Sequence, residues 1–168
     1  MIVKKFGVCL FMLFLIGCAP QPITTSQLTP TSPASATSEG QQVLIKYFDL
    51  LNSQQYAQAD GLYGGDYEQL KVFSADVDPS DHVKMWSNAC ELAGLRCLKV
   101  RTATLLDQAT NTYHFQVEFN NPDGSLFVLG PCCGENETEM PPISQFEITV
   151  VKNAEGNFLV TNLPPYVP

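Results

Sequence analysis

The chain has 168 residues, 45% of them hydrophobic, and a formal net charge of −8. This length supplies one domain with enough apolar residues for a core of its own. The acidic balance, with no cluster of Lys or Arg, argues against nucleic acid and anionic lipid headgroups as partners because like charges repel.

The N-terminus has the features of a secretory signal in their usual order. Two lysines precede an apolar run from Phe6 to Ile16, which is too short to span a bilayer as a helix. The run ends in Leu15-Ile16-Gly17-Cys18, which resembles the bacterial lipobox, where a small residue precedes a cysteine that receives a diacylglyceryl group. We expect a signal peptide over 1–17 and a protein of the bacterial cell envelope, held on the extracytoplasmic side of the membrane by lipid on Cys18. The alternatives are a plain signal peptide without a lipid anchor and a buried apolar helix that happens to hold a cysteine.

The next segment has the composition of a linker. Pro, Ser, Thr and Gln dominate "APQPITTSQLTPTSPASATS", residues 19–38, which carries no charge and no apolar periodicity. Such a segment cannot bury enough apolar surface to offset its loss of conformational entropy. We expect residues 18–38 to be the lipidated cysteine and a disordered tether, and residues 39–168 to form a single domain.

The first half of the predicted domain has helical periodicity. Ser38 is the predicted N-cap of the first helix, with Gln41 three residues later as in a capping box. The apolar residues that follow share one helical face: Val43, Leu44, Tyr47, Phe48 and Leu51. Further helices are predicted over 56–63 and from Asp78-Pro79-Ser80-Asp81 to Gly94, with a short strand over 67–73.

The second half alternates between apolar and polar residues, which is typical of strands. Predicted strands cover 98–104, 113–119, 146–150 and 158–163, and the last two are joined by a hairpin turn at 153–156. Helices followed by antiparallel strands predict an α+β fold, with the N-terminal helices packed on one face of a curved antiparallel sheet.

Two stretches carry a resemblance to a known fold. "VLIKYFDLLNSQQYAQADGLYGGDY" resembles the opening helices of the nuclear transport factor 2-like superfold, and "FEITVVKNAEGNFLVTNLPPY" resembles its late hairpin. The chain is similar in particular to small extracytoplasmic bacterial lipoproteins of this fold. The resemblance implies a cone with an internal pocket. Members of this superfold include isomerases, dehydratases, polyketide cyclases and inert binding or accessory domains, so the fold alone does not assign a function.

Aromatic residues are the candidates for lining such a pocket, with ordinary core packing as the alternative. They are Tyr47, Tyr63, Trp86, Tyr113 and Phe115. The residues that could act as acids or bases are predicted to lie on the surface instead: Asp49, Asp60, His82 and His114.

Four cysteines fall in the predicted domain: Cys90, Cys97, Cys132 and Cys133. An oxidising compartment favours disulfides. The predicted topology gathers the four at one end of the sheet, so we expect Cys90 and Cys97 each to bond to one of the adjacent pair and to staple the insert at 121–142. The competing pairing is Cys90–Cys97 with a vicinal Cys132–Cys133 ring. A thiolate metal site and a redox-active loop are further alternatives, although no C-x-x-C motif is present.

These observations favour a non-catalytic binding or accessory module at the envelope, without a cofactor or a metal. Its expected partners are the membrane, through the lipid, and either a small apolar ligand or another envelope protein. Two alternatives are a small-molecule isomerase or dehydratase that uses the cone pocket, and a thiol redox or metal-binding protein.

Overall fold

The computed structural model describes residues 33–167, and the predicted signal peptide, Cys18 and most of the predicted tether lie outside these residues. The described part is an α+β domain in which helices precede the strands. The helices are α1 (Pro33–Asn52), α2 (Tyr56–Asp60), α3 (Tyr67–Val72) and α4 (His82–Glu91). The strands are β1 (Lys99–Ala109), β2 (Thr112–Asn120), β3 (Phe146–Lys152) and β4 (Phe158–Val160).

The strands form one antiparallel sheet in the order β1-β2-β3-β4, as the order of helices and strands predicts. Alternation along β2 is confirmed, because four of its side chains are buried and their neighbours are not: Tyr113, Phe115, Val117 and Phe119. The buried face packs against α1, where the rings of Phe48 and Phe119 meet at 4.8 Å between centroids. The core therefore lies between α1 and one face of the sheet, and it continues among α1, α2, α3 and α4.

The predicted start of the first helix is wrong. α1 begins at Pro33, so Ser38 lies inside the helix and residues 33–38, assigned to the tether by composition, are helical. Proline fits the first turn because the amide hydrogen that it lacks has no partner there. Gln41 does not complete a capping box, since its side-chain amide donates to the carbonyl of Ala103 in β1 at 2.7 Å.

The short strand predicted over 67–73 is also wrong, because residues 67–72 form α3. The Asp66 side chain accepts a hydrogen bond from the amide of Glu68, and Glu68 pairs with Lys71 one turn later. Such a cap satisfies a free amide of the first turn and stabilises even a short helix. Asp81 caps α4 in the same way by accepting from the amide of Lys84 at 3.0 Å.

The connection between β2 and β3 is long and contains isolated β-bridges. Isolated bridges join Asn120 to Leu126 and Leu129 to Ile143. Phe127, between the bridges, is buried, and its ring stacks with that of Phe146 at 5.8 Å. These contacts attach the first part of the insert to the sheet and leave residues 130–142 as an outer loop.

Candidate functional site

A disulfide bond joins Cys90 to Cys97, whose Cα atoms are 5.6 Å apart. The expected bonds from these cysteines to Cys132 and Cys133 are therefore wrong. The chain turns back after α4 at Gly94, where φ is +90°, and the amide of Leu95 donates to the carbonyl of Ala89 at 3.0 Å. A Cβ on Gly94 would lie 2.2 Å from the carbonyl oxygen of Val167, so only glycine fits this reversal. The reversal places Cys97 beside the last turn of α4.

Residues 130–142, called the dithiol loop from here on, are ordered by hydrogen bonds instead of a disulfide staple. At the base, Leu129 and Ile143 exchange both backbone hydrogen bonds, at 2.8 and 2.9 Å. Inside the loop, the side-chain amide and the backbone amide of Asn136 both donate to the Glu139 carboxylate, at 2.8 and 3.1 Å. The Asn136 side-chain oxygen in turn accepts from the amide of Thr138 at 2.9 Å.

A tight turn brings the two thiols of this loop together. The amide of Glu135 donates to the carbonyl of Cys132 at 3.0 Å, and the two residues between them have positive φ, 62° at Cys133 and 94° at Gly134. Positive φ at both central positions is the mark of a type I′ turn. The Sγ atoms of Cys132 and Cys133 are 2.8 Å apart, and neither is in a disulfide.

The two thiols lie at the surface of the loop. Cys133 is exposed and Cys132 is half-buried. The pKa of the Cys132 thiol is raised, first by its hydrogen bond with Cys133 and then, more weakly, by desolvation and by the negative charges of Cys133 and Glu135. Within residues 33–167 no group of three or more His, Cys, Asp or Glu side chains is arranged to hold a metal. The two thiols thus have two sulfur atoms that can bind or react and two hydrogens that can be lost on oxidation.

The five aromatic residues predicted to line a pocket are all buried. Tyr47, Tyr63 and Trp86 form one cluster, in which Trp86 lies 6.0 Å from Tyr47 and 5.1 Å from Tyr63 between ring centroids. Tyr113 and Phe115 lie apart from them in the chain, on the buried face of β2. The structure therefore brings the first three together as packed rings, and their role in binding a ligand stays a prediction.

A polar cluster that the sequence did not indicate lies beside these rings. Asp60 Oδ1 accepts from the Tyr67 hydroxyl at 2.7 Å and from Trp86 Nε1 at 3.1 Å. Asp60 Oδ2 lies 3.5 Å from His82 Nδ1, and the His82 ring stacks on Tyr67 at 3.7 Å. Burial raises the pKa of Tyr67, and the hydrogen bond to Asp60 raises it further.

Asp60 and His82 are partly exposed, at 25% and 34% of their side chains, so both reach the surface while one side of each contacts the cluster. The members come from α2, α3 and α4, and no spacing along the chain signals that they meet. A carboxylate beside an imidazole is a pair that can accept and hold a proton. His114 lies on the outer sheet face as its alternation predicts, with Nδ1 3.1 Å from Glu147.

Comparison with protein-family models and with curated proteins finds no match to this chain. In the part of the chain that the structure describes, no helix is long and apolar enough to cross a membrane. The geometry of the dithiol loop and of the Asp60 cluster is therefore the basis for assigning a function.

Proposed function

We propose that the protein is a lipid-anchored domain of the bacterial cell envelope, a non-catalytic binding or accessory module whose functional surface is the dithiol loop. The observation that carries this proposal is the pair of unbonded thiols, 2.8 Å apart, in a solvent-accessible and hydrogen-bonded loop. Cysteine is usually buried or bonded in proteins outside the cytosol, so two accessible thiols there call for a role.

The assignment of the dithiol loop is tested by thiol labelling of the protein as purified, without reduction. A maleimide is added, the protein is digested, and the labelled and cross-linked peptides are mapped by mass spectrometry. We expect labels on Cys132 and Cys133, and a linked pair of peptides that contain Cys90 and Cys97. Peptides that link Cys90 or Cys97 to Cys132 or Cys133 would rule out the dithiol loop as the functional surface.

Anchoring by lipid on Cys18 is supported by the order of charge, apolar run, small residue and cysteine at the N-terminus. It is tested by growing the expressing bacteria with an alkyne analogue of palmitate and then detecting the label on the protein. Cys18→Ala should abolish labelling, whereas Cys9→Ala, the matched control inside the signal, should keep it. Equal labelling of Cys18→Ala and wild type would rule out this anchor.

In this proposal the domain is a nuclear transport factor 2-like cone, and a small apolar ligand binds beside the cluster of Tyr47, Tyr63 and Trp86. The packing of α1 on one face of an antiparallel sheet, with the shorter helices beside it, supports the cone. Trp86 is the one tryptophan of the chain, so its fluorescence reports on this cluster directly. Apolar fluorescent probes should shift or quench Trp86 emission on binding, and an unchanged emission with every probe would argue against a ligand here.

A second candidate function is an isomerase or dehydratase, and the pairing of Asp60 with His82 favours it. An enzyme of this type removes a proton next to a carbonyl group, for which a carboxylate held by an imidazole can serve as the base. Nuclear magnetic resonance in deuterated water would measure hydrogen exchange at the α-carbon of a panel of ketones. This candidate requires exchange above the solvent rate that Asp60→Asn abolishes and Asp49→Asn, an exposed control, retains. Exchange at the solvent rate for the whole panel would exclude it for those compounds.

A further inference from the structure

We propose that Cys132 and Cys133 interconvert between a dithiol and a vicinal disulfide by exchange with disulfide-bearing substrates, which makes the dithiol loop a two-electron redox site. This inference rests on the proposed function, because it requires the loop to be an accessible surface. It departs from the non-catalytic role, since it gives that surface a reaction, thiol–disulfide exchange, and a substrate class.

The disulfide pattern leaves Cys132 and Cys133 as neighbouring free thiols. Among the described residues, Cys90 and Cys97 are bonded together, so no third thiol is free to compete for Cys132 or Cys133. The type I′ turn holds the Sγ atoms of Cys132 and Cys133 at 2.8 Å, and the base of the loop at Leu129 and Ile143 is closed by its own hydrogen bonds. Formation of the S–S bond therefore needs rearrangement only inside the turn.

The surroundings of the turn give a substrate room to approach. A Cβ added to Gly130 or to Gly134 would meet no atom within 4 Å apart from its chain neighbours, so there is open space beside the backbone at both positions. Cys133 is the more exposed of the two thiols. It is therefore the one that first meets a disulfide in solution or on another protein.

The reaction is two successive thiol–disulfide exchanges. The Cys133 thiolate attacks one sulfur of a substrate RS–SR, which forms a mixed disulfide and releases RS⁻. The Cys132 thiolate then attacks the Sγ of Cys133, which closes the vicinal ring and releases the second RS⁻. Both thiol protons end on the two RSH products. The loop has then lost two hydrogens and two electrons, and the substrate has gained them.

The electrostatics of the pair support this order of attack. The raised pKa of Cys132 has two of its causes in Cys133, namely the hydrogen bond and the negative charge. In the mixed disulfide Cys133 carries no charge and no thiol hydrogen, so both causes are gone and Cys132 ionises more easily for the second step. In the reverse direction the vicinal ring oxidises two RSH to RS–SR. Constrained and exposed disulfides are the readily reduced ones, so the ring is suited to this direction.

The experiment equilibrates the purified protein with mixtures of reduced and oxidised glutathione, quenches with acid, alkylates and maps peptides by mass spectrometry. We expect Cys132 and Cys133 to change together, at one glutathione ratio, from the doubly alkylated form to a form that has lost two hydrogens. Cys90 and Cys97 should stay bonded over the same range. Cys132→Ser and Cys133→Ser should each stop at a stable mixed disulfide with glutathione.

The possible failures are distinguishable from one another. If the wild type also stops at a mixed disulfide, or if both thiols stay alkylated at every ratio, the redox inference is overturned and the accessible dithiol of the proposed function stands. If peptide mapping links these cysteines to Cys90 or Cys97, both proposals fail. Circular dichroism of the two serine variants checks that they remain folded, which the exposed position of the loop leads us to expect.

Discussion

Asp60, at the residue scale, holds three helices together through one side chain. Its Oδ1 accepts from Tyr67 of α3 and Trp86 of α4, and its Oδ2 faces His82 at the start of α4. Hydrogen bonds to a charged acceptor are stronger than neutral ones, and a donor left without a partner in a buried site is costly. Asp60 is therefore both the candidate base of the second proposed function and a structural contact.

Asp60→Ala is expected to lower the free energy of unfolding by about 2 kcal/mol, because the Tyr67 hydroxyl and the Trp86 indole lose their acceptor. Urea denaturation followed by Trp86 fluorescence measures the change. Asp49→Ala is the control, because Asp49 is an exposed residue of α1 and its replacement should change stability by less than about 0.5 kcal/mol. Equal effects of the two substitutions would show that the Asp60 hydrogen bonds do not stabilise the fold.

At the scale of elements, two turns hold the ends of the helical layer in place. The N-terminal turn of α1 marks where the domain begins, and the turn after α4 leads the chain back towards the sheet. Ala36 is only 6% exposed, although its segment has the composition of a linker. The Cys90–Cys97 disulfide closes the turn after α4, and the side chain of Asn52 at the end of α1 donates to the carbonyl of Cys97 at 2.9 Å. Both ends of α1 are thus fixed by tertiary contacts.

Ala36→Asp is expected to destabilise the protein by about 2 kcal/mol, because it places an unpaired carboxylate in a buried position. Ser38→Asp is the matched control, since Ser38 is exposed on the same helix and gains the same charge. Thermal unfolding by circular dichroism measures both. An unchanged melting temperature for Ala36→Asp would mean that this turn does not dock on the domain.

Replacing Cys90 and Cys97 together with Ala is expected to lower the free energy of unfolding by about 2–3 kcal/mol, because the unfolded chain loses a cross-link. The value is modest because the loop that the bond closes is short. The double replacement of Cys132 and Cys133 with Ala should leave stability within about 0.5 kcal/mol, since that pair is unbonded and lies in the outer loop. Guanidinium denaturation under non-reducing conditions compares them. The opposite ranking would contradict the pairing described here.

At the scale of the whole molecule, the helical layer is rich in tyrosines whose ionisation opposes folding. Burial raises the pKa of Tyr56 and of Tyr63 to about 12, and the pKa of Tyr47 is also well above its usual value, mainly because of burial. In the unfolded chain these hydroxyls have the ordinary value of 10.0. The folded protein therefore retains protons that the unfolded chain releases.

The resulting pH dependence has a definite sign. A raised folded pKa contributes stability that is fully present below the unfolded value of 10.0 and is lost as pH rises through about 12. Denaturant titrations across this window should show falling stability, while ultraviolet absorbance follows ionisation. Tyr56→Phe should make the decline shallower, and Tyr166→Phe, at a residue that is 45% exposed, serves as the control. A stability that stays constant across the window would contradict the raised values.

The periodic features of the domain were predictable, and the features set by distant partners were not. Alternation along β2 and the apolar face of α1 follow from burial on one side, which periodicity in the sequence reports directly. The strand predicted over 67–73 failed because the cap at Asp66 favours a helix over so short a segment. The Asp60 cluster could not be predicted, since its members are separated in the chain and meet only through helix packing.

The sequence by itself determined the α+β class, the antiparallel order of the strands and the outward position of His114, because each depends on local periodicity and on the order of elements. It also carries the N-terminal pattern from which lipid anchoring is proposed. The tertiary structure alone decided which cysteines pair, where α1 begins and what Asp60 binds. The physical reason is the same in all three cases, because each depends on which atoms the folded chain brings within bonding distance. The reversal at Gly94 brings Cys97 within bonding distance of Cys90, and Cys132 and Cys133 therefore stay unbonded next to each other.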